Sequence, residues 1–98
     1  MKLQISERAY EWFEKELDLK PGSFVRFYGK VYGSTNVHEG FSVGMTVEVP
    51  QNIMASVERH GITYYVDQAD DWFMANYDLY VDYDKTLEEP SYTFKEAV

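Results

Sequence analysis

The stretch SERAYEWFEKELDLKPGSFVRFYGKV, residues 6–31, decides the fold class, because the spacing of its apolar residues changes part-way along it. Apolar residues first recur at four-residue intervals: Ala9, Phe13 and Leu17. That interval places them on one face of a helix, whose first turn Ser6 can cap. Pro21-Gly22 then stops the helix and turns the chain. We therefore predict a helix over residues 6–18.

Beyond the turn, apolar and polar residues alternate, which is the pattern of a half-buried strand. Val25, Phe27 and Val31 share one side of this strand, and we expect all of them to face the core. The same alternation predicts further strands over residues 2–5, 41–49, 53–57, 62–66 and 79–83. A short helix, capped by Asp70 or Asp71, is predicted before the last of these strands.

This order of elements predicts an α+β fold. Short antiparallel strands are expected to form a twisted sheet or a flattened barrel, with an N-terminal helix and one short helix in the C-terminal half. Residues 1–98 are interpreted as a single domain, because a chain of 98 residues has room for one core. Residues 87–98 have a weaker pattern, and we expect this tail to fray.

The composition excludes several kinds of chemistry. The chain has no cysteine, which rules out disulfides, thiolate-held metals and cysteine nucleophiles. Its sequence contains no basic stretch followed by an apolar run of signal-peptide type, and no apolar run of about 18 residues that would span a bilayer. We therefore expect a cytoplasmic protein that does not insert into membranes.

The charge of the chain is acidic and unevenly distributed. Residues 1–66 carry 7 basic and 8 acidic groups, a net charge of -1, whereas residues 67–98 carry 2 and 9, a net charge of -7. Phosphate backbones attract clustered Lys and Arg, so nucleic acid and anionic membranes are not expected as partners. An acidic face favours encounter with a protein that presents a basic surface. The alternative interpretation is that the charge serves solubility.

A family resemblance rests on the order and spacing of several short motifs. The motifs are Leu3-x-Ile-Ser-x-x-Ala9, Phe24-Val-Arg-Phe27, Gly40-Phe-Ser-Val43 and Asp70-x-Trp72. Together with the intervening helix, glycine-containing loop, hairpin and terminal strand, they resemble the HesB-like domain over residues 2–84. That domain is the fold of the A-type iron-sulfur carriers, so the resemblance implies an iron-sulfur cluster biosynthesis-like fold.

The resemblance does not extend to the cluster ligands of the carriers. A-type carriers hold iron or a cluster with a Gly-Cys-Ser-Gly-like loop and a Cys-Gly-Cys near the C-terminus. Here the loop reads Val31-Tyr-Gly-Ser-Thr-Asn-Val-His38, with Ser34 after Gly33, and the tail after Pro90 supplies no thiol. The chain therefore resembles the cysteine-free branch of HesB-like proteins found in Gram-positive bacteria. This branch implies a fold without established chemistry.

A metal site without thiols is one hypothesis that survives. His38 and Glu39 lie in the loop that resembles the ligand loop of the carriers, and His60 lies on a hairpin turn. Imidazole and carboxylate groups can bind iron or zinc. The alternative is that each histidine is an ordinary turn residue, because the two are 22 positions apart with no ligand spacing between them.

A protein-binding surface is the other hypothesis. Tyr28, Tyr65 and Tyr80 lie on the side of their strands opposite the apolar set, and Asp82 and Asp84 point the same way as Tyr80. Edge strands in a small sheet also favour pairing between two copies, which predicts a homodimer. We therefore interpret the chain as a non-enzymatic binding or accessory protein without a cofactor. The alternative is a thiol-independent iron or zinc handling protein that uses His38 and Glu39.

Overall fold

A computed structural model of the chain describes residues 1–97. Its helices and strands, in chain order, are β1 Leu3–Ile5, α1 Glu7–Glu16, β2 Phe24–Lys30, β3 Ser42–Val47, β4 Ile53–Arg59, β5 Ile62–Asp67, a 3-10 helix Gln68–Asp70, α2 Asp71–Met74, β6 Tyr77–Asp84 and β7 Glu89–Glu96. The predicted α+β class is confirmed. No helix in this part of the chain is long and apolar enough to cross a membrane.

The strands form two sheets, ordered β1-β6-β7 and β3-β2-β5-β4. Within residues 1–97 they do not close into a barrel. The prediction of antiparallel strands alone is wrong, because β1 runs parallel to β6 and β2 runs parallel to β5. The alternation of side chains is the same in parallel and antiparallel strands, so it predicts where a strand lies and not the direction of its neighbour.

The helix α1 packs on the inner faces of the two sheets. The Ser6 hydroxyl accepts a hydrogen bond from the Ala9 N–H at 3.2 Å, which confirms the predicted cap. Ala9 and Phe13 are buried, and the Phe13 ring lies 5.7 Å from that of Phe27 on β2. On its other side, α1 places the ring of Trp12 6.1 Å from the ring of Tyr83 on β6. The amphipathic pattern of the sequence thus positions the helix between the sheets.

The core contains the inward residues of the central strands, among them Val25, Phe27, Leu79 and Val81. Val31 was expected with them, but 74% of its surface is exposed. The reason is that β2 ends at Lys30, so the alternation of the strand no longer constrains the next residue. Val49 is exposed for the same reason, because it lies beyond the end of β3. Ile53 is exposed because it is the first residue of β4, which is an edge strand.

The C-terminal tail is a strand and not a frayed end. Each of the eight residues of β7 is paired with a residue of β6, and Phe94 is only 2% exposed. The expectation of fraying after residue 87 is therefore wrong as far as Glu96, and Val98 lies outside the described residues. Pro90, Tyr92 and Phe94 do alternate with polar residues. That period-two signal could have predicted this strand.

Candidate functional site

His38 lies in a cluster of aromatic rings at the end of the loop between β2 and β3. The centroid of its ring is 4.3 Å from that of Phe73, 4.9 Å from Phe94 and 5.7 Å from Tyr77. We call these four residues the aromatic cluster. It joins the loop to α2 and to the ends of β6 and β7.

Both ring nitrogens of His38 already have hydrogen-bond partners. Nδ1 is 2.8 Å from the Thr35 hydroxyl, and Nε2 is 3.0 Å from the carbonyl oxygen of Phe73. The Thr35 hydroxyl accepts from the N–H groups of Val37 and His38, so we assign its own proton to Nδ1 and the ring proton to Nε2. In this neutral tautomer, Nδ1 uses its lone pair on Thr35. A metal ion would have to break that contact.

The other predicted metal ligands lie apart from the aromatic cluster or are exposed. His60 is on the turn between β4 and β5, where its Nδ1 is 2.8 Å from a carboxylate oxygen of Glu14 on α1. Glu39 is exposed in the loop beside His38. Among residues 1–97, no group of three or more His, Asp or Glu side chains is arranged to hold a metal ion. Metal handling by His38 and Glu39 therefore stays a prediction, with no ligand cluster to support it.

The predicted partner-binding tyrosines lie on different surfaces. Tyr28 and Tyr65 are on the outer face of the four-stranded sheet, and Tyr80 is on the outer face of the three-stranded sheet. Tyr65 is fully buried and donates to the carbonyl oxygen of Glu48 at 2.7 Å; burial raises the pKa of its hydroxyl. Tyr28 covers Gly44 of the neighbouring strand so closely that a Cβ there would clash with its ring. The structure does not bring the three tyrosines together.

The two predicted aspartates have structural partners of their own. Asp82 accepts from the Ser6 hydroxyl at 2.6 Å and from the Arg8 guanidinium at 2.7 and 2.8 Å, and these contacts hold its pKa well below the ordinary range. Asp84 accepts from the N–H groups of Thr86 and Leu87, which shapes the turn between β6 and β7. Part of the acidic charge predicted to face a partner therefore stabilises the fold.

Other ion pairs tie α1 to its neighbours. Together with Arg8–Asp82, we call the following contacts the α1 ion pairs: Glu7–Arg59, Glu14–Arg59 and the hydrogen bond Glu14–His60, which carries charge on both sides only when the imidazole is protonated. The Arg59 guanidinium also lies 5.0 Å from the centroid of the Tyr10 ring. The exposure of these contacts differs: the side chains of Arg8, Asp82 and His60 are exposed, that of His60 at 62%, whereas the side chains of Arg59 and Glu14 are only 17% and 23% exposed.

Arg26 is a polar residue that the sequence did not single out. Its guanidinium contacts Asp70 at 2.7 Å and Glu48 at 2.6 Å, and these hydrogen bonds raise its pKa. Asp70, one of the two predicted caps, occupies the N-cap position of α2, but its side chain makes no cap bond and binds Arg26 instead. Asp67 caps the preceding 3-10 helix by accepting from the Ala69 N–H. No short-range pattern joins Arg26 to Asp70, because 44 residues separate them.

Hydrogen bonds with Arg26, Tyr65 and Asp67 hold the connection between β3 and β4 in place. Asp67 also accepts from the N–H groups of Gln51 and Asn52 at 3.2 and 3.1 Å; the bond from the Ala69 N–H, and then these two, lower its pKa. The contacts of residues 48–52 with Arg26, Tyr65 and Asp67 show that the connection passes over the outer face of the four-stranded sheet. The connection therefore explains why Tyr65 is buried.

A groove of about 470 Å³ separates one edge of each sheet. Ser42, Val43, Gly44 and Met45 of β3 line one wall, and residues 89–92 line the other. Trp12, Lys30 and Asp84 also border the groove. The sequence did not predict it, because its second wall belongs to the strand that was expected to fray. We take this groove as the candidate site for a binding partner.

A second, wider groove runs along β1. Its volume is about 680 Å³, and its lining includes Tyr10, Val57, Tyr80 and Asp82. The ammonium group of Lys95 lies 4.5 Å from the centroid of the Tyr80 ring. Two of the predicted partner-binding residues, Tyr80 and Asp82, therefore share a surface that is accessible to solvent.

The chain is similar along almost its whole length to a pyruvate dehydrogenase inhibitor of Bacillus subtilis strain 168. The two sequences are 37% identical over 95 residues, which cover 97% of this chain and 100% of that protein. The chain belongs to the family of this inhibitor. The chain is also similar to an uncharacterised protein of Staphylococcus saprophyticus, which is 28% identical over 98 residues, covering 97% of this chain and 100% of that protein.

A further uncharacterised relative is found in Staphylococcus epidermidis. It is 33% identical over 85 residues, which cover 84% of this chain and 87% of that protein. Bacillus and Staphylococcus are Gram-positive bacteria, so these relatives all come from that group of organisms. No family model matches the chain.

Proposed function

We propose that this chain binds a pyruvate dehydrogenase and lowers its activity, and that it does so by association and not by catalysis. The observation that carries the proposal is the 37% identity to the Bacillus subtilis inhibitor over the full length of that protein. Because the match spans both sheets and both helices, the surfaces of the two proteins are built on corresponding elements. The name of the relative supplies the target enzyme.

The physical properties of the chain support a binding role. It has no cysteine for nucleophilic or redox chemistry, and its net charge is -8. A charge of this size speeds encounter with a basic protein surface, and the gain in rate falls as salt screens the field. The groove between β3 and β7 provides a concave surface with carboxylates at its border.

The HesB-like fold is part of the same proposal. The helix that follows β1, the glycine-containing loop after β2 and the β4–β5 hairpin occur in the order that the resemblance implies. In this interpretation the scaffold of the carriers has been kept without its thiolates, and its role has become protein binding in the cytoplasm. Thiol-independent iron or zinc handling by His38 and Glu39 is the alternative.

The experiment is an inhibition assay with purified Bacillus subtilis pyruvate dehydrogenase. The chain is titrated into the enzyme, with the Bacillus subtilis inhibitor as the positive control and an unrelated acidic protein of similar size as the negative control. We expect a saturable loss of activity and co-sedimentation with the enzyme, both weakened by rising salt. Full activity at tens of micromolar chain, in a preparation that the relative inhibits, would overturn the proposal.

A further inference from the structure

Four strands lie at the edges of the two sheets, and two of them, β3 and β7, border the groove. The strand β3 is the last member of the four-stranded sheet, and β7 is the last member of the three-stranded sheet. A free edge presents backbone N–H and C=O groups that can pair with another extended chain. Which residues present them follows from the phase of the antiparallel ladder, because alternate residues bond to the neighbouring strand and the others point away from it.

The phase of β3 is fixed by one backbone hydrogen bond. The Glu48 N–H donates to the Phe24 carbonyl oxygen at 3.1 Å, and these two residues continue the register in which Thr46 pairs with Arg26 and Gly44 with Tyr28. Counting back in twos, Thr46 and Gly44 bond towards β2. Val43, Met45 and Val47 therefore direct their N–H and C=O groups to the free side.

The phase of β7 is fixed in the same way. The Ala97 N–H donates to the Asn76 carbonyl oxygen at 3.0 Å, which continues the register between β6 and β7. Counting back in twos, the odd-numbered residues of β7 bond towards β6. The even-numbered residues Pro90, Tyr92 and Phe94 therefore point to the free side.

Along the free edge of β7, neither Phe94 nor Pro90 is fully available to pair with another strand. The Asn36 side-chain amide donates to the Phe94 carbonyl oxygen at 2.7 Å and accepts from the Phe94 N–H at 2.9 Å, as a neighbouring strand would. Pro90 has no N–H to offer. Between them lies Tyr92, whose backbone groups have no partner within residues 1–97.

The available groups of both edges border the same groove. Val43 and Met45 line its β3 wall, and Tyr92 lines its β7 wall. Val43 is only 6% exposed and Met45 is half-buried, so a partner strand has to enter the groove to reach their backbone groups. We propose that the groove binds an extended segment of the partner protein, which adds a strand to β3 by pairing with the main chain of Val43 and Met45. This inference rests on the proposed function and names its docking site.

The charges at the groove select the kind of segment. Asp84 and Glu89 border it, whereas its basic residue Lys30 holds its ammonium group 4.8 Å from the centroid of the Tyr32 ring. A segment that carries a Lys or Arg side chain next to the paired residues can reach these carboxylates. A second copy of the chain is a poor occupant, because each copy carries a net charge of -8.

The first test uses proline to remove one outward N–H group. In Met45→Pro the lost N–H makes no bond to β2, so the sheet keeps its ladder while the groove loses a donor and gains a steric block. Val47→Pro is the matched control, because its N–H also points outward but the residue lies outside the groove lining. Circular dichroism and urea unfolding establish that each variant is folded.

The measurement is the affinity of each variant for Bacillus subtilis pyruvate dehydrogenase. We expect Met45→Pro to weaken binding at least tenfold and Val47→Pro to bind as the wild type does. Equal binding by the wild type and a folded Met45→Pro variant would overturn the docking site and leave the proposed function intact. If the wild type itself does not bind the enzyme, both proposals fall together.

A second measurement does not depend on a substitution. Hydrogen exchange followed by mass spectrometry, resolved to single amides, compares the free chain with the complex. We expect the amides of Val43, Met45 and Tyr92 to exchange faster than those of Gly44 and Thr46 in the free chain. Val43 and Met45 should become protected when the enzyme is added. Binding without this protection, or protection that appears in the chain alone as its concentration rises, would overturn the proposed occupant.

A variant that neutralises one carboxylate at the groove tests whether the partner segment carries a basic side chain. Glu89→Gln removes a carboxylate at the groove, and Glu96→Gln removes one from the other end of the same strand. We expect Glu89→Gln to weaken binding severalfold at low salt and to reduce its salt dependence, with Glu96→Gln close to the wild type. Equal effects of the two changes would show that overall charge, and not the groove, attracts the partner.

Discussion

The aromatic cluster and the α1 ion pairs each contain one histidine, and the two histidines have opposite surroundings. In the aromatic cluster, His38 is half-buried among rings and bonds to a threonine hydroxyl and a backbone carbonyl. In the α1 ion pairs, His60 is exposed and bonds to a carboxylate on a neighbouring helix. Both histidines contact a distant element of the fold, but only the contacts of His38 are partly shielded from water.

The comparison indicates that solvent access determines how much a polar contact contributes to folding stability. A buried hydrogen bond that is lost leaves its partner without water to replace it, which costs about 1–3 kcal/mol. An exposed ion pair competes with solvation and screening, and contributes little to stability. We therefore expect substitutions in the aromatic cluster to destabilise the protein far more than substitutions of the exposed ion-pair residues Asp82 and His60.

The largest effect is expected for Phe94→Ala. This side chain is 2% exposed and packs against Phe73, Tyr77 and His38, so its removal leaves a cavity and should lower the free energy of unfolding by about 3–5 kcal/mol. Urea unfolding measures it, with the exposed neighbour Thr93→Ala as control. Equal stability of the two variants would show that the tail does not pack as a core strand.

The direct comparison of the two histidines comes next. His38→Ala removes a packed ring and two hydrogen bonds, and we expect a loss of about 2–3 kcal/mol in the free energy of unfolding. His60→Ala should change it by less than about 0.5 kcal/mol. Urea unfolding of both variants gives the two values.

The same pair of variants separates a structural role from metal handling. Zinc and iron titrations of the untagged protein should show no tight site, and His38→Ala should leave that result unchanged. Stoichiometric binding that is lost in His38→Ala while stability is retained would instead support the metal hypothesis.

A smaller effect is expected for Asn36→Ala. The change removes both hydrogen bonds to the backbone of Phe94 and should cost about 1–2 kcal/mol. Asn36→Asp keeps an acceptor for the Phe94 N–H but faces the Phe94 carbonyl with a carboxylate, so it tests the donor separately. Hydrogen exchange of the Phe94 amide should quicken in Asn36→Ala and change less in Asn36→Asp. An unchanged exchange rate of the Phe94 amide in Asn36→Ala would contradict the role of Asn36 in covering the edge of β7.

The smallest effect is expected in the α1 ion pairs, and it depends on pH. The Arg8 guanidinium and the Ser6 hydroxyl hold the pKa of Asp82 below its unfolded value of about 3.9. The contribution of these two contacts to folding stability is therefore fully present above about pH 3.9, the unfolded pKa. It is lost as the pH falls from there through the pKa of Asp82 in the folded protein. Asp82→Asn should reduce stability slightly at pH 7 and by less at pH 3.

Urea midpoints at the two pH values check this sign. Glu11→Gln, which changes an exposed carboxylate of α1 that makes no ion pair with Arg8, serves as control. A difference between the wild type and Asp82→Asn that grows as the pH falls would contradict the assignment of the Asp82 contacts.

Much of the local structure could be predicted from the sequence. The cap at Ser6 and the helix face of Ala9 and Phe13 follow from short-range spacing. Asp70 could not be assigned in this way, because a carboxylate near a helix start looks like a cap whether or not an arginine lies beside it. Its true partner, Arg26, comes from another strand.

The candidate site was missed for a related reason. The wall at Val43 and Met45 belongs to a strand that the sequence predicted, but the wall at Tyr92 belongs to a tail that it expected to fray. A groove exists only when both walls are in place. Predicting one strand is therefore not enough to predict the site.

By itself, the sequence determined the α+β class, the absence of cysteine chemistry and the acidic charge, because these depend on composition and on neighbours along the chain. Only the tertiary structure decided that His38 is packed within the fold while His60 stays in solvent. It also decided which backbone groups of β3 and β7 remain available. Parallel pairing, the phase of the hydrogen-bond ladder and solvent access depend on residues far apart in the sequence. The spacing of neighbouring residues therefore does not predict them.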